Sequence, residues 1–140
     1  MKYTLSFPEN YVKPALPGRD IWTATLRSGK YKQGSSNLRQ GEYYCCLGVL
    51  CEIQNRPCRK REGCDVYHYD NSGSGLDHVN PLFPVFSSLG YFPNDVALRL
   101  QHEPGEHEGD GVAITLAGCN DAVLTFNQIA DIIEAVWENA

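Results

Sequence analysis

Apolar residues recur along this chain with two different periods, and the switch between them outlines the fold. Near the C-terminus, Phe126, Ile129, Ile133, Val136 and Trp137 follow at helical spacing. Thr125 and Gln128 stand three apart just ahead of them, which predicts a helix opened by a capping box. A second helix is predicted from Cys45 to about Gln54, with Leu47, Leu50 and Cys51 on one face and Cys46, Val49 and Ile53 on another. Trp22 and Leu26 lie one turn apart in a shorter helix over about Asp20–Ser28, stopped by Gly29. Period two governs elsewhere. Val96, Leu98 and Leu100 alternate with Ala97, Arg99 and Gln101, and Val112, Ile114 and Leu116 alternate with Ala113, Thr115 and Ala117. These are two half-buried strands with the apolar set inward, joined as an antiparallel hairpin. Lys2 to Phe7 fits a short edge strand ended by Pro8, and Pro84 to Leu89 a helical turn. Gly34 to Gly41 is a polar loop, and residues 55–80 form a long irregular excursion rich in charge, Gly and Ser. The expected class is α+β: one small domain over residues 1–140, with two or three helices on a small antiparallel sheet.

Charge changes this picture more than composition does. The net charge of −5 divides unevenly, since residues 1–64 hold eleven Lys/Arg against five Asp/Glu while residues 65–140 hold one against twelve. The two halves of one domain attract each other, and the basic half also offers a footprint for an anionic ligand. Duplex nucleic acid is not expected as a partner, because the chain is acidic overall and no helix carries a basic stripe. No apolar run is long enough to span a bilayer, and Met1 to Leu5 has no secretory character. A cytoplasmic location follows, in which the six cysteines are reduced.

Three segments resemble a family of small uncharacterised phage and bacterial proteins. They are Leu26–Gly34 (LRSGKYKQG), Tyr44–Cys51 (YCCLGVLC), and Asn120-Asp121 ahead of Leu124–Glu134 (LTFNQIADIIE). A sparser frame of Gln33-Gly34, Cys45, Gly48 and Asn120-Asp121 runs through them. The resemblance implies a phage accessory protein in a bacterial cytoplasm and does not say which activity it has.

Three kinds of chemistry suit the residues themselves. Arg27, Tyr31, Lys32, Gln33 and Arg39 supply cations, an aromatic face and an amide within a short stretch, which suits phosphates beside a base or ribose. Asn120 and Asp121 would accept from ribose hydroxyls or base amines. The expectation is a protein, as a homo-oligomer, that sequesters an anionic nucleotide-derived ligand such as a host defence messenger. If Ile132 or Val136 faces outward on the C-terminal helix, that face is the oligomer surface. The alternative is a cysteine-dependent hydrolase or transferase with Cys45 as nucleophile at a helix start. Papain-like enzymes also place Gln-Gly upstream of such a cysteine, but no histidine lies in the family-like segments. A protein-binding inhibitor that presents residues 55–80 is a third possibility. Structural zinc on Cys51, Cys58, Cys64 and His68 lacks the short knuckle spacing, and His102, Glu106 and His107 fit an ordinary acidic loop. No cofactor is expected.

Overall fold

The computed structural model describes residues 2–69, 90–93, 95–105, 111–122 and 124–140. Its class is α+β, with four helices and three small sheets among the described residues. The C-terminal helix, α4 (Phe126–Val136), carries the capping box: Thr125 Oγ1 accepts from Gln128 N–H and Gln128 Oε1 accepts from Thr125 N–H. Its Ile129, Ile132, Ile133 and Val136 are all fully buried. No outward apolar stripe is left on this helix for an oligomer surface, because α1 (Arg19–Arg27) packs along it and its exposed positions, Asn127 and Asp131, are polar. The carbonyls that end α4 are satisfied from the N-terminal arm. Tyr11 Oη donates to Val136 O at 2.6 Å, Lys13 Nζ to Glu134 O at 3.0 Å and Arg19 Nη1 to Trp137 O at 2.8 Å. Cations there also meet the negative end of the helix dipole.

One sheet runs β1 (Lys2–Ser6), β8 (Ala97–Gln101), β9 (Gly111–Ala113), antiparallel throughout, with β1 at an edge as its Pro8 terminator suggests. The phase of β9 differs from the sequence expectation. Ala113 stands opposite Leu98, so it shares the buried face, while Val112 and Ile114 point to solvent. The strand also ends early. Thr115 turns extended and its hydroxyl accepts from Gly118 N–H, which starts a short helix, α3 (Leu116–Asp121). Leu116 is therefore buried as the first residue of a helix, not as the end of a strand.

A five-stranded mixed sheet occupies the other side, in the order β3 (Lys32–Gln33), β5 (Tyr43–Tyr44), β4 (Arg39–Gln40), β7 (Val66–Tyr69), β6 (Cys58–Lys60). The expected Gly34–Gly41 loop thus contains β4, and residues 58–69 of the expected excursion form an antiparallel hairpin. Residues 70–80, and the helical turn expected at Pro84–Leu89, lie outside the described residues. The remaining pair, β2 (Ala15–Leu16) with β10 (Glu138–Asn139), is parallel and brings the N-terminal arm to the chain end. Among the described residues no helix is long and apolar enough to cross a membrane.

Between the sheets, α2 (Cys46–Ile53) buries residues 46–51 without exception. Trp22 of α1 packs against it and donates Nε1–H to Cys46 O at 3.1 Å. The strand-to-helix turn into α2 approaches the 36–38 loop so closely that a Cβ at Gly48 would sit 1.8 Å from Leu38 O. That carbonyl is itself fixed by Cys45 N–H at 3.2 Å. Replacing Gly48 by alanine is expected to cost about 3 kcal/mol or more, because backbone must move. Gly111→Ala, where the added Cβ meets nothing within 4 Å, serves as the control and is expected to stay within about 0.5 kcal/mol of wild type. Urea-denaturation midpoints of the two variants measure this.

Candidate functional site

Of the residues that the sequence singles out, Gln33, Cys45, Asn120 and Asp121 gather at one end of the five-stranded sheet, around the loop from Gly34 to Leu38. Gln33 closes β3 and Asn120 lies in the last turn of α3, and their side chains meet: Gln33 Nε2 donates to Asn120 Oδ1 at 3.1 Å. Each amide then serves a helix start. Asn120 Oδ1 accepts from Cys46 N–H at 3.2 Å, and Gln33 Oε1 accepts from Phe126 N–H at 3.0 Å. These are the first N–H groups of α2 and α4, which have no partner within their own helices. Gln33 Nε2 also donates to Leu124 O at 2.7 Å, and Asn120 Nδ2 to Gly34 O at 2.6 Å. Both hydrogens of the Gln33 amide are therefore committed inside the protein. Asn120 is only 2% exposed.

The cations expected around a ligand are differently placed. Arg27 lies between the Asp131 and Glu134 carboxylates of α4, donating to both. Those two hydrogen bonds raise its pKa and keep the guanidinium charged. Lys32 pairs with Glu42 at the surface. Arg39 is held by tyrosines: its guanidinium carbon stands 3.8 Å from the Tyr67 ring centroid and 5.2 Å from that of Tyr44. Tyr31 packs edge-on against Tyr44 at 4.8 Å.

Cys45 ends the β5 segment in extended backbone and caps α2, its Sγ accepting from Gly48 N–H at 3.4 Å. The thiol is 6% exposed. Burial raises its pKa above the ordinary thiol value, and the N–H groups of Gly48 and Leu47 offset only part of that. It forms the floor of a cleft of about 270 Å³. The cleft exists because the β4–β7 ladder stops after Arg39–Tyr67. Beyond that pair the Ser36–Leu38 loop leaves β7, and the gap is walled by His68 and Tyr69 on one side and Ala117 and Asp121 of α3 on the other. Asp121 Oδ1 accepts from Ser36 N–H at 2.8 Å, holding Ser36 at φ 70°. A left-handed serine is strained by about 1 kcal/mol, and such strain gathers where structure serves a site. Asp121 also lines a second cleft of about 290 Å³ together with Gln33, Ser35, Asn120 and Thr125. Arg27, Tyr31 and Lys32 line neither.

The zinc candidates are not gathered. Cys58 stands opposite Tyr69 in the β6–β7 ladder while His68 stands opposite Arg59, so Cys58 and His68 project from opposite faces of the hairpin. Cys51 is buried in α2, its pKa pushed up to about 12 by that burial, whereas Cys64 is exposed in the hairpin turn. No group of three or more His, Cys, Asp or Glu among the described residues is arranged to hold a metal ion. Glu106 and His107 lie outside the described residues. Sequence reasoning missed Ser36, Asn37 and Tyr67 as cleft residues. The Val66-Tyr67-His68-Tyr69 run after the Gly63 turn (φ 81°), rich in β-branched and aromatic residues, is the signal that could have found a strand inside the expected excursion.

The amide pair makes a quantitative prediction. Asn120→Ala and Gln33→Ala are each expected to lose roughly 3 kcal/mol, because each leaves buried N–H or C=O groups unsatisfied. The double variant is expected to lose less than the sum by at least about 1 kcal/mol, since the two side chains share one network. A double-mutant cycle in urea measures the coupling.

The chain belongs to the family described as Domain of unknown function (DUF8296), whose model matches residues 18–137, from the N-cap of α1 to the C-cap of α4. No curated protein and no solved structure matches the chain.

Proposed function

We propose that this protein captures a small nucleotide-derived ligand in the cleft at the head of α2 and holds it unchanged. The observation that carries this reading is the composition of the cleft wall. Asp121, Asn37 and Ser36 stand beside Leu38, Val66, Ala117 and two tyrosines. A few polar groups set in an apolar, partly aromatic wall suit a flat ring that carries hydroxyls or amines. The Asp121 carboxylate would accept from ribose hydroxyls or a base amine. No Lys or Arg is among the described residues lining this cleft, so recognition inside it falls to hydrogen bonding and shape. The site thereby moves from the cationic 27–33 stretch, whose Arg27 and Gln33 are bonded internally, to the Ser36–Leu38 loop that follows β3. Resemblance to small phage and bacterial proteins supports a role in withdrawing a host signalling molecule from solution.

Incubation with cyclic dinucleotides and ADP-ribose derivatives tests the reading, with mass detection after filtration and again after denaturation. A ligand depleted from solution and released intact is expected. Asp121→Ala should weaken its retention about tenfold or more, the worth of a hydrogen bond to a charged group. A ligand returned with a new mass overturns sequestration.

One observation favours a second reading, thiol chemistry at Cys45: His68 and Asp121 line the same cleft as its sulfur, supplying the imidazole that the family-like segments lack. The raised pKa of the buried thiol weighs against it. Iodoacetamide labelling of the native protein separates the two. The exposed Cys58 and Cys64 are expected to react first at about pH 8, with Cys45 protected alongside Cys46, Cys51 and Cys119. Cys45 labelling as fast as the exposed pair would establish the catalytic reading instead.

A further inference from the structure

We infer that the two clefts beside Asp121 are halves of one groove, and that the ligand is a nucleoside carrying a second sugar joined directly to its ribose. The inference rests on the cleft at the head of α2 being the ligand site. Ser36, Asn37 and Leu38 line that first cleft, while Gln33, Gly34 and Ser35 line the second. The chain therefore passes from one cleft to the other at the Ser36 N–H. That N–H is the group Asp121 Oδ1 accepts from at 2.8 Å, and Asp121 is the residue common to both linings. Ser35, Ser36 and Asp121 are all exposed, so the hydrogen bond between the clefts is a sill that a ligand can cross, not a roofed partition. Either cleft alone, at about 270 and 290 Å³, falls below the usual size of a ligand site, about 300–1,000 Å³. Joined across the sill, they fall within it.

The two halves differ in a way that orients the ligand. The first presents Leu38, Val66, Ala117 and Tyr67, a surface against which a flat base packs. The second presents the Ser35 and Thr125 hydroxyls beside Asp121, while both hydrogens of its Gln33 amide are already donated within the protein. Ser35 has no side-chain partner among the described residues. A small ring rich in hydroxyls suits that surface, because a hydroxyl both donates to a carboxylate and exchanges hydrogen bonds with another hydroxyl. The sill decides how the two rings are joined. Among the described residues Asp121 is in no ion pair, and no Lys or Arg lines either cleft. A phosphate crossing there would face an uncompensated carboxylate, whereas ribose hydroxyls would donate to it. A single hydrogen bond divides the clefts, so a direct glycosidic junction fits where a long, charged diphosphate bridge does not.

Calorimetric titration of the full chain with adenosine, 2′-O-ribosyladenosine and ADP-ribose tests the groove. Wild type is expected to bind ribosyladenosine at least about tenfold more tightly than adenosine. ADP-ribose, whose second sugar lies beyond a diphosphate, is expected to bind no more tightly than adenosine. Ser35→Gln, an exposed change that narrows the second cleft, should remove the gain from the second ribose. The same variant should leave adenosine binding and the urea midpoint unchanged. Equal affinity for adenosine and ribosyladenosine, or a gain that survives Ser35→Gln, overturns the groove and leaves the first cleft standing. ADP-ribose binding as tightly as ribosyladenosine overturns the direct junction. Binding of none of the three overturns both the groove and the cleft.

Discussion

The structure depends on two neutral amides meeting in its interior. A helix whose first residue is buried has a first N–H group shielded from water, and α2 and α4 both begin so, at Cys46 and Phe126. Their N-cap side chains, Cys45 and Thr125, each take the third N–H and leave the first unmet. Asn120 and Gln33 supply what is missing, one to each helix, and bind one another. A carboxylate or an ammonium in either place would offer only acceptors or only donors, whereas an amide offers both. The consequence reaches the surface. Asn120 is fixed by three hydrogen bonds, so its neighbour Asp121 is fixed too, and the Asp121 carboxylate becomes a stationary wall shared by two clefts.

What could be foreseen divides according to how local its cause is. The capping box of α4 needs only Thr125 and Gln128, and the burial of α2 needs only its own apolar run, so both were legible. The phase of β9 was not. Val112 and Ile114 are larger than Ala113, so the alternation pointed them inward, but the register with Leu98 puts Ala113 on the buried face. The Thr115 cap then ends the strand before Leu116. The β6 strand was masked by its composition: an edge strand whose Cys58, Arg59 and Lys60 are all exposed has no buried face to announce it.

The candidate site was legible as a list of residues and not as an arrangement. Gln33, Cys45, Asn120 and Asp121 do come together. Their proximity arises across 87 residues between Gln33 and Asn120, through packing that no spacing reports. The same distance effect removes Arg27, since its two carboxylate partners lie on the far helix. A cation in a polar loop looks available until the rest of the chain arrives.

Cys45 shows how a residue can look chemical for structural reasons. Three helices here begin with a side chain that accepts from an N–H three residues on, and two of those side chains are threonine hydroxyls. The hydroxyls accept at 2.9 and 3.1 Å, the sulfur at 3.4 Å. A thiol is the weaker acceptor, so capping alone would favour Ser or Thr. Thr115 and Thr125, however, are not part of the apolar core, and Cys45 is. A buried hydroxyl retains a desolvation cost that one hydrogen bond only partly offsets, while a thiol packs as a small hydrophobe and still meets the N–H. The burial that selects the thiol is the same burial that raises its pKa and keeps it protonated. Recognition by shape and hydrogen bonding asks nothing more of it, because a neutral sulfur closes the floor of the cleft and leaves the polar contacts to Asp121, Asn37 and Ser36.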